Sequence, residues 1–209
     1  HESAREATKR AIALNPMLAR AQANLALERV TEAGQGGSPA ALQPVQGSLL
    51  AHFNLGLALR QKGYHDEALR EYRLALEAGE DRRLNLQAMA EVHLLRRELG
   101  AALELYDGLV GDYGDSPKLW NERGVCLHQA GRRQEAVDSY QRAVEIDPGY
   151  RLAWNNIGVA GAHEANGDGA TAAFGRALEG DFPLLAARLN LGLLAFQRRQ
   201  LKAALDEYQ

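Results

Sequence analysis

The sequence predicts an all-α fold, an array of antiparallel helix pairs, from three observations. Its 209 residues repeat with a period of 34. Within each repeat, apolar and small residues recur three and four apart, which puts them on one face of a 3.6-residue helix. Gly63 and Gly131 fall at the middle of their repeats, and Ser116-Pro117 and Asp147-Pro148 fall at the joints. Glycine suits a helix C-terminus, and proline suits a helix start while stopping the helix behind it.

The register starts at residue 49 and continues at 83, 117, 151 and 185. The eighth positions are Gly56, Ala90, Gly124, Gly158 and Gly192, and the twentieth are Ala68, Ala102, Ala136, Ala170 and Ala204. The twenty-fourth are Tyr72, Tyr106, Tyr140, Phe174 and Tyr208. With aromatics at 6%, a fully aromatic column has a chance of roughly one in a million. First helices are expected near 49–62, 83–97, 117–130, 151–165 and 185–198, and second helices near 65–78, 100–112, 133–146, 168–179 and 201–209. Small residues at the eighth and twentieth positions should let the two backbones of a pair approach closely. The aromatic should fill the space between them and the next pair. In the fourth unit Asn166-Gly167 is read as the turn and Asp168 as the next N-cap.

Upstream, the pattern is partial. Residues 1–33 read as one second helix ending at Asn15-Pro16 and one first helix starting near Ala19. Residues 34–48 carry Gly34, Gly36, Gly37, Gly47, Pro39 and Pro44, which argues against a regular helix and for an irregular, mobile segment. Residues 49–209 form the contiguous array, its last unit truncated. The chain opens on His1 rather than Met and stops inside a second helix, so it is expected to be a piece of a longer array.

Composition narrows the function classes. A net charge of −3 disfavours nucleic-acid and membrane-surface partners. No apolar run approaches membrane-spanning length, so no membrane insertion is expected. Cys126 is the single cysteine, which excludes a disulfide framework and a multi-cysteine zinc site. His93, His128 and His163 lie 35 apart but lack acidic or cysteine partners in step, so neither a metal nor any other cofactor is expected. Asn166-Gly167-Asp168-Gly169 lacks the later carboxylates of a calcium loop, and Gly34–Gly37 lacks the Lys-Ser/Thr of a phosphate loop. Cys126 reads as a small core residue. No catalytic residue is predicted.

The third unit, with Trp120, Gly124, Gly131, Ala136, Tyr140, Ala143 and Pro148, resembles the tetratricopeptide repeat (TPR) family, whose pattern is W-x2-L-G-x2-Y, then A-x3-F, then P. Departures are Arg123 where Leu is usual, Ala90 for Gly, and Gly161 for a large residue. The resemblance spans 49–209 and implies a right-handed TPR solenoid that binds an extended protein or peptide segment in its concave groove. The sixth position, which lines that groove in the family, holds Asn54, Asn156 and Asn190, and Asn24 in the displaced upstream unit; Ala88 and Glu122 interrupt it. A side-chain amide offers donor and acceptor alike, so one per repeat could hold a peptide backbone without reading its side chains. This is similar to the asparagine ladder in the TPR arm of protein O-GlcNAc transferases. On that reading the amides of Asn156 and Asn190 should stand free of intramolecular partners; the competing reading is that these amides tie adjacent helices together.

Further groove positions are Phe53, Gln87, Glu91, Lys118, Asn121 and Asn155, a largely apolar and amide wall. The Lys, Asn and Arg set by which TPR co-chaperones clamp an acidic C-terminal peptide is not supplied by three successive units. The expected function is a non-catalytic adaptor or scaffold. The alternatives are a substrate-docking arm of a protein-modifying enzyme, such as a glycosyltransferase or kinase, and self-association through end-to-end stacking. A cytoplasmic location is the default expectation, with the natural N-terminus out of view.

Overall fold

A computed structural model describes residues 50–162, 168–180 and 184–208. The readings made on residues 1–49, Asn24 among them, and on 163–167 lie outside the described residues. Those described fold into helices joined by short turns, with no strand among them. The first unit of the chain, His1–Leu105, and the second, Tyr106–Gln209, are each compact.

In the first unit α1 (Ala51–Gln61) packs on α2 (His65–Glu77), and α3 (Arg82–Leu95) packs on both. Helix α4 spans Leu99–Asp112. In the second unit α5 (Pro117–Gln129) pairs with α6 (Arg133–Ile146), α7 (Arg151–Gly161) with α8 (Asp168–Leu178), and α9 (Leu185–Gln197) with α10 (Leu201–Tyr208). Helix α2 also meets α3, α6 meets α7 and α8 meets α9, and α5–α7 and α7–α9 are in contact. Helix α7 is described only to Gly161, short of the expected 165. Asp168 is the first residue of α8 rather than its cap.

The turn from first to second helix is the same motif four times. An N–H bonds back to the carbonyl five residues earlier at 2.9 Å: Tyr64 to Leu59, Glu98 to His93, Arg132 to Leu127, and Gln200 to Ala195. That geometry needs a left-handed residue just before the donor. Gly63 (φ 86°) and Gly131 (φ 76°) supply it, but so do Arg97 (φ 62°) and Arg199 (φ 60°). The turn is therefore imposed by the pairing of helices even where no glycine signals it. The N-terminus of α1 lacks a cap of its own. The Glu80 carboxylate, after α2, accepts from the backbone N–H of His52 and Phe53 at 3.0 Å.

The core explains the two invariant columns more sharply than close helix approach does. A Cβ on Gly56 would lie 2.5 Å from the Tyr72 ring, on Gly124 2.4 Å from Tyr140, and on Gly158 2.5 Å from Phe174. At Gly56, Gly124 and Gly158 the eighth residue is glycine because the aromatic of the same repeat packs against its backbone, while Ala90 takes that place in the second repeat. These rings, like Ala68, Ala136 and Ala170, are fully or almost fully buried. One buried residue breaks the pattern: Asn85 fills a third position that is apolar in the other units. Its Nδ2 donates to the Asp81 carbonyl at 2.8 Å, while its Oδ1 is buried without a hydrogen-bond partner.

Candidate functional site

The first helices carry the candidate residues, and their helical rotation is set by the buried third, seventh-to-eighth and tenth positions. What remains of each helix surface is the face holding positions two, five, six and nine. The two units are described in turn.

In the first unit this face is already occupied by internal contacts. Asn54 is buried and its Nδ2 donates to the Leu50 carbonyl of its own helix at 2.8 Å. Phe53 leans on Tyr72, ring centroids 5.9 Å apart, and belongs to the edge of the core. The Gln87 amide donates to Glu91 at 3.3 Å, and the other Glu91 oxygen receives the Arg60 guanidinium. Glu91 thus ties α1 to α3.

In the second unit the sequence-predicted asparagines come together, but with one another. Asn190 Nδ2 donates to Asn155 Oδ1 at 2.9 Å, Asn155 Nδ2 to Asn156 Oδ1 at 3.4 Å, and Asn156 Nδ2 to Asn121 Oδ1 at 2.9 Å. Four amides form one directed relay across α9, α7 and α5. This corrects the expectation that Asn156 and Asn190 stand free. Each sixth-position amide bonds to the fifth-position amide of the preceding repeat, 35 residues back. The signal was present in the sequence as two columns, Asn121 and Asn155 at position five, Asn156 and Asn190 at position six. Reading the columns separately hid the pairing. Each NH2 group keeps a second N–H and each carbonyl a second lone pair. Lys118 is half engaged by Glu122, 3.6 Å away in the next turn.

Sequence reasoning also missed two tryptophan anchors. Trp120 Nε1 donates to the Gly114 carbonyl at 2.9 Å and Trp154 Nε1 to the Pro148 carbonyl at 2.8 Å, each fixing the loop before its helix. Arg123, the departure from the leucine pattern, sits over the Trp120 ring at 5.8 Å and bonds Asp107 and Ser139, both at 2.6 Å. An arginine is accommodated in the leucine place because its Nε and Nη1 each find an acceptor. Cys126 is fully buried, and burial first, then the nearby Asp107 charge, pushes its thiol up and away from the nucleophilic thiolate. His93 pairs with Glu98 at 2.6 Å, and that bond holds the Glu98 carboxyl below the usual range. Among the described residues no three His, Cys, Asp or Glu side chains form a metal-binding group, and no helix is long and apolar enough to cross a membrane.

Comparison with known proteins agrees with this geometry. The family model for the tetratricopeptide repeat matches residues 117–150, and a second such model matches 49–81. The chain carries tetratricopeptide repeats. Over 96 residues this TPR chain is 24% identical to the heat-shock protein cognate (HSC) co-chaperone sgt12 of Aspergillus fumigatus, covering 46% of the chain and 28% of that relative. It spans less than a third of the length of the curated relatives it matches. Among solved structures, PilF of Pseudomonas aeruginosa shares the fold with a TM-score of 0.67 at 22% identity, over 77% of this chain and 73% of that one. YrrB, described as a TPR protein with an unusual peptide-binding site, aligns with a TM-score of 0.56 at 20% identity, over 85% and 87% of the two chains.

Proposed function

We propose that this TPR array is a non-catalytic interaction module that holds an extended segment of another protein along the faces of its first helices. One observation carries the reading. In the second unit the amide relay of Asn121, Asn156, Asn155 and Asn190 forms a floor, and exposed Leu152, Leu189 and Leu193 stand beside it. Apolar walls favour docking, and amides with spare valences satisfy a backbone that has no partners of its own. YrrB, with its peptide-binding site, and sgt12, a co-chaperone, support the class of partner.

The test uses the full chain and peptides selected on it from a random 12-residue display library. On titration, the side-chain amide resonances of Asn155, Asn156 and Asn190 are expected to shift. Proline scanned through the peptide should weaken binding more than side-chain changes do, because it removes a backbone donor. Shifts confined to the second helices, or indifference to proline, would reject the reading.

A further inference from the structure

A cavity of about 210 Å³, open to solvent, lies between α8 and α10 with α9 as its floor. A single water needs only about 15 Å³, so the space suits a larger guest. None of its lining residues stands at the second, fifth, sixth or ninth position of a repeat, so it lies off the face described above. Leu191, Leu194, Ala195 and Ala203 make it mainly apolar. Two charged groups reach it. The Arg198 guanidinium has the Asp168 carboxylate 3.8 Å away. Glu207 is half-buried and has no hydrogen bond or ion pair among the described residues. It is the charge left uncompensated. Its charged neighbours in sequence, Lys202 and Asp206, do not line the cavity, and nor does Arg199.

The equivalent groove two repeats earlier is filled by the chain itself. There Arg123, on α5, extends its guanidinium to Ser139 on α6 and Asp107 on α4, both at 2.6 Å. Arg132 pairs with Glu135 beside it in the repeat. In the 34-residue register Leu191 stands where Arg123 does, and Glu207 where Ser139 does. Gln200 and Ala203 replace the paired Arg132 and Glu135. The α8–α10 groove therefore keeps an acceptor, now a carboxylate, and lacks the guanidinium that fills its counterpart. A carboxylate beside an apolar floor favours a cation on an apolar stem, and the planar fork of a guanidinium matches a carboxylate better than an ammonium does. We propose that this groove is a binding site for an alkylguanidinium from outside the chain, either a free small molecule or an arginine side chain of a partner. The stem lies on Leu191, Leu194 and Ala195, and the N–H groups donate to the Glu207 carboxylate. An anion drawn to Arg198 would meet Glu207 at a cost.

The test titrates the full chain with butylguanidinium and with pentanoate, an anion of similar length, and reads methyl chemical shifts. Butylguanidinium should shift the methyls of Leu191, Leu194, Ala195 and Ala203 to saturation. Glu207→Gln should weaken it at least about fivefold, and pentanoate should bind the parent chain more weakly by a similar factor. A capped Ala-Arg-Ala peptide distinguishes the sources. Binding as tight as that of butylguanidinium assigns the site to an arginine of a partner protein, and much weaker binding assigns it to a free guanidinium. A second arm supplies the group from within. Leu191→Arg copies Arg123 and should abolish butylguanidinium binding. It should also raise the thermal midpoint more in the parent than in a Glu207→Gln background, a coupling that a general change in packing cannot produce. Equal or tighter binding of pentanoate, shifts that never saturate, or a Leu191→Arg effect that ignores residue 207 overturns the proposal.

Discussion

Across residues 50–105 the first-helix face is braced by charge: Arg60 on α1 meets Glu91 on α3, with Gln87 holding the second carboxylate oxygen. Across residues 106–208 the same face is braced by neutral amides, from Asn190 through Asn155 and Asn156 to Asn121. The sixth position explains the difference. Asn54 turns back to its own helix at Leu50, and Ala88 offers no polar group to Phe53 at the fifth position before it. In the second unit both columns are asparagine, so the relay closes. An identical residue in an identical repeat position thus does different work according to what the preceding repeat presents. The ionic brace is partly solvated, its side chains 25% and 31% exposed, and such pairs contribute about 0–1 kcal/mol. The amide bonds lie nearer the interior, with Asn121 and Asn155 buried.

The largest effect should leave the comparison intact, since the aromatic–glycine contact is shared. Gly124→Ala in the second unit and Gly56→Ala in the first would each drive a Cβ into a buried ring, and should cost about 1–3 kcal/mol by denaturant unfolding. A clear difference between the two would show that the cores are not equivalent. The next substitution separates the units. Asn155→Ala removes two links of the relay and should cost about 1–2 kcal/mol, whereas Asn54→Ala removes one bond within a helix and should cost about 0.5–1 kcal/mol. Equal losses would mean the relay adds nothing over a local bond. The smallest effect should be a gain. Asn85 holds an unpartnered buried oxygen where the second unit has Leu119, fully buried at the same repeat position. Asn85→Leu should stabilise by about 1 kcal/mol, read as a raised thermal midpoint. A loss would show that the Asn85 bond to Asp81 matters more than the unsatisfied oxygen.

The helix pairs were legible because each depends on local chemistry. Predicted and observed helices agree to within a residue or two at most ends, from 65–78 against His65–Glu77 to 185–198 against Leu185–Gln197. The turns at Arg97 and Arg199 carried no glycine to mark them, and the period alone located them. The candidate residues were found as types and positions, but the state of their amides was not. Asn156 and Asn190 were expected free and are bonded to Asn121 and Asn155.

The sequence by itself determined the period, the alternation of helix and turn, and the columns of small eighth and aromatic twenty-fourth residues. These follow from the 3.6-residue helical period and from volumes that must fit within one repeat. Only the tertiary structure decided which amide meets which. A bond between the sixth position of one repeat and the fifth of the one before depends on the rotation of two helices about their axes. That rotation is fixed by the burial of Leu119, Cys126, Ala153, Ala160, Ala187 and Leu194 on the first helices, not by the asparagines themselves. Hydrogen-bonding side chains then take the partners that the apolar core has placed within reach.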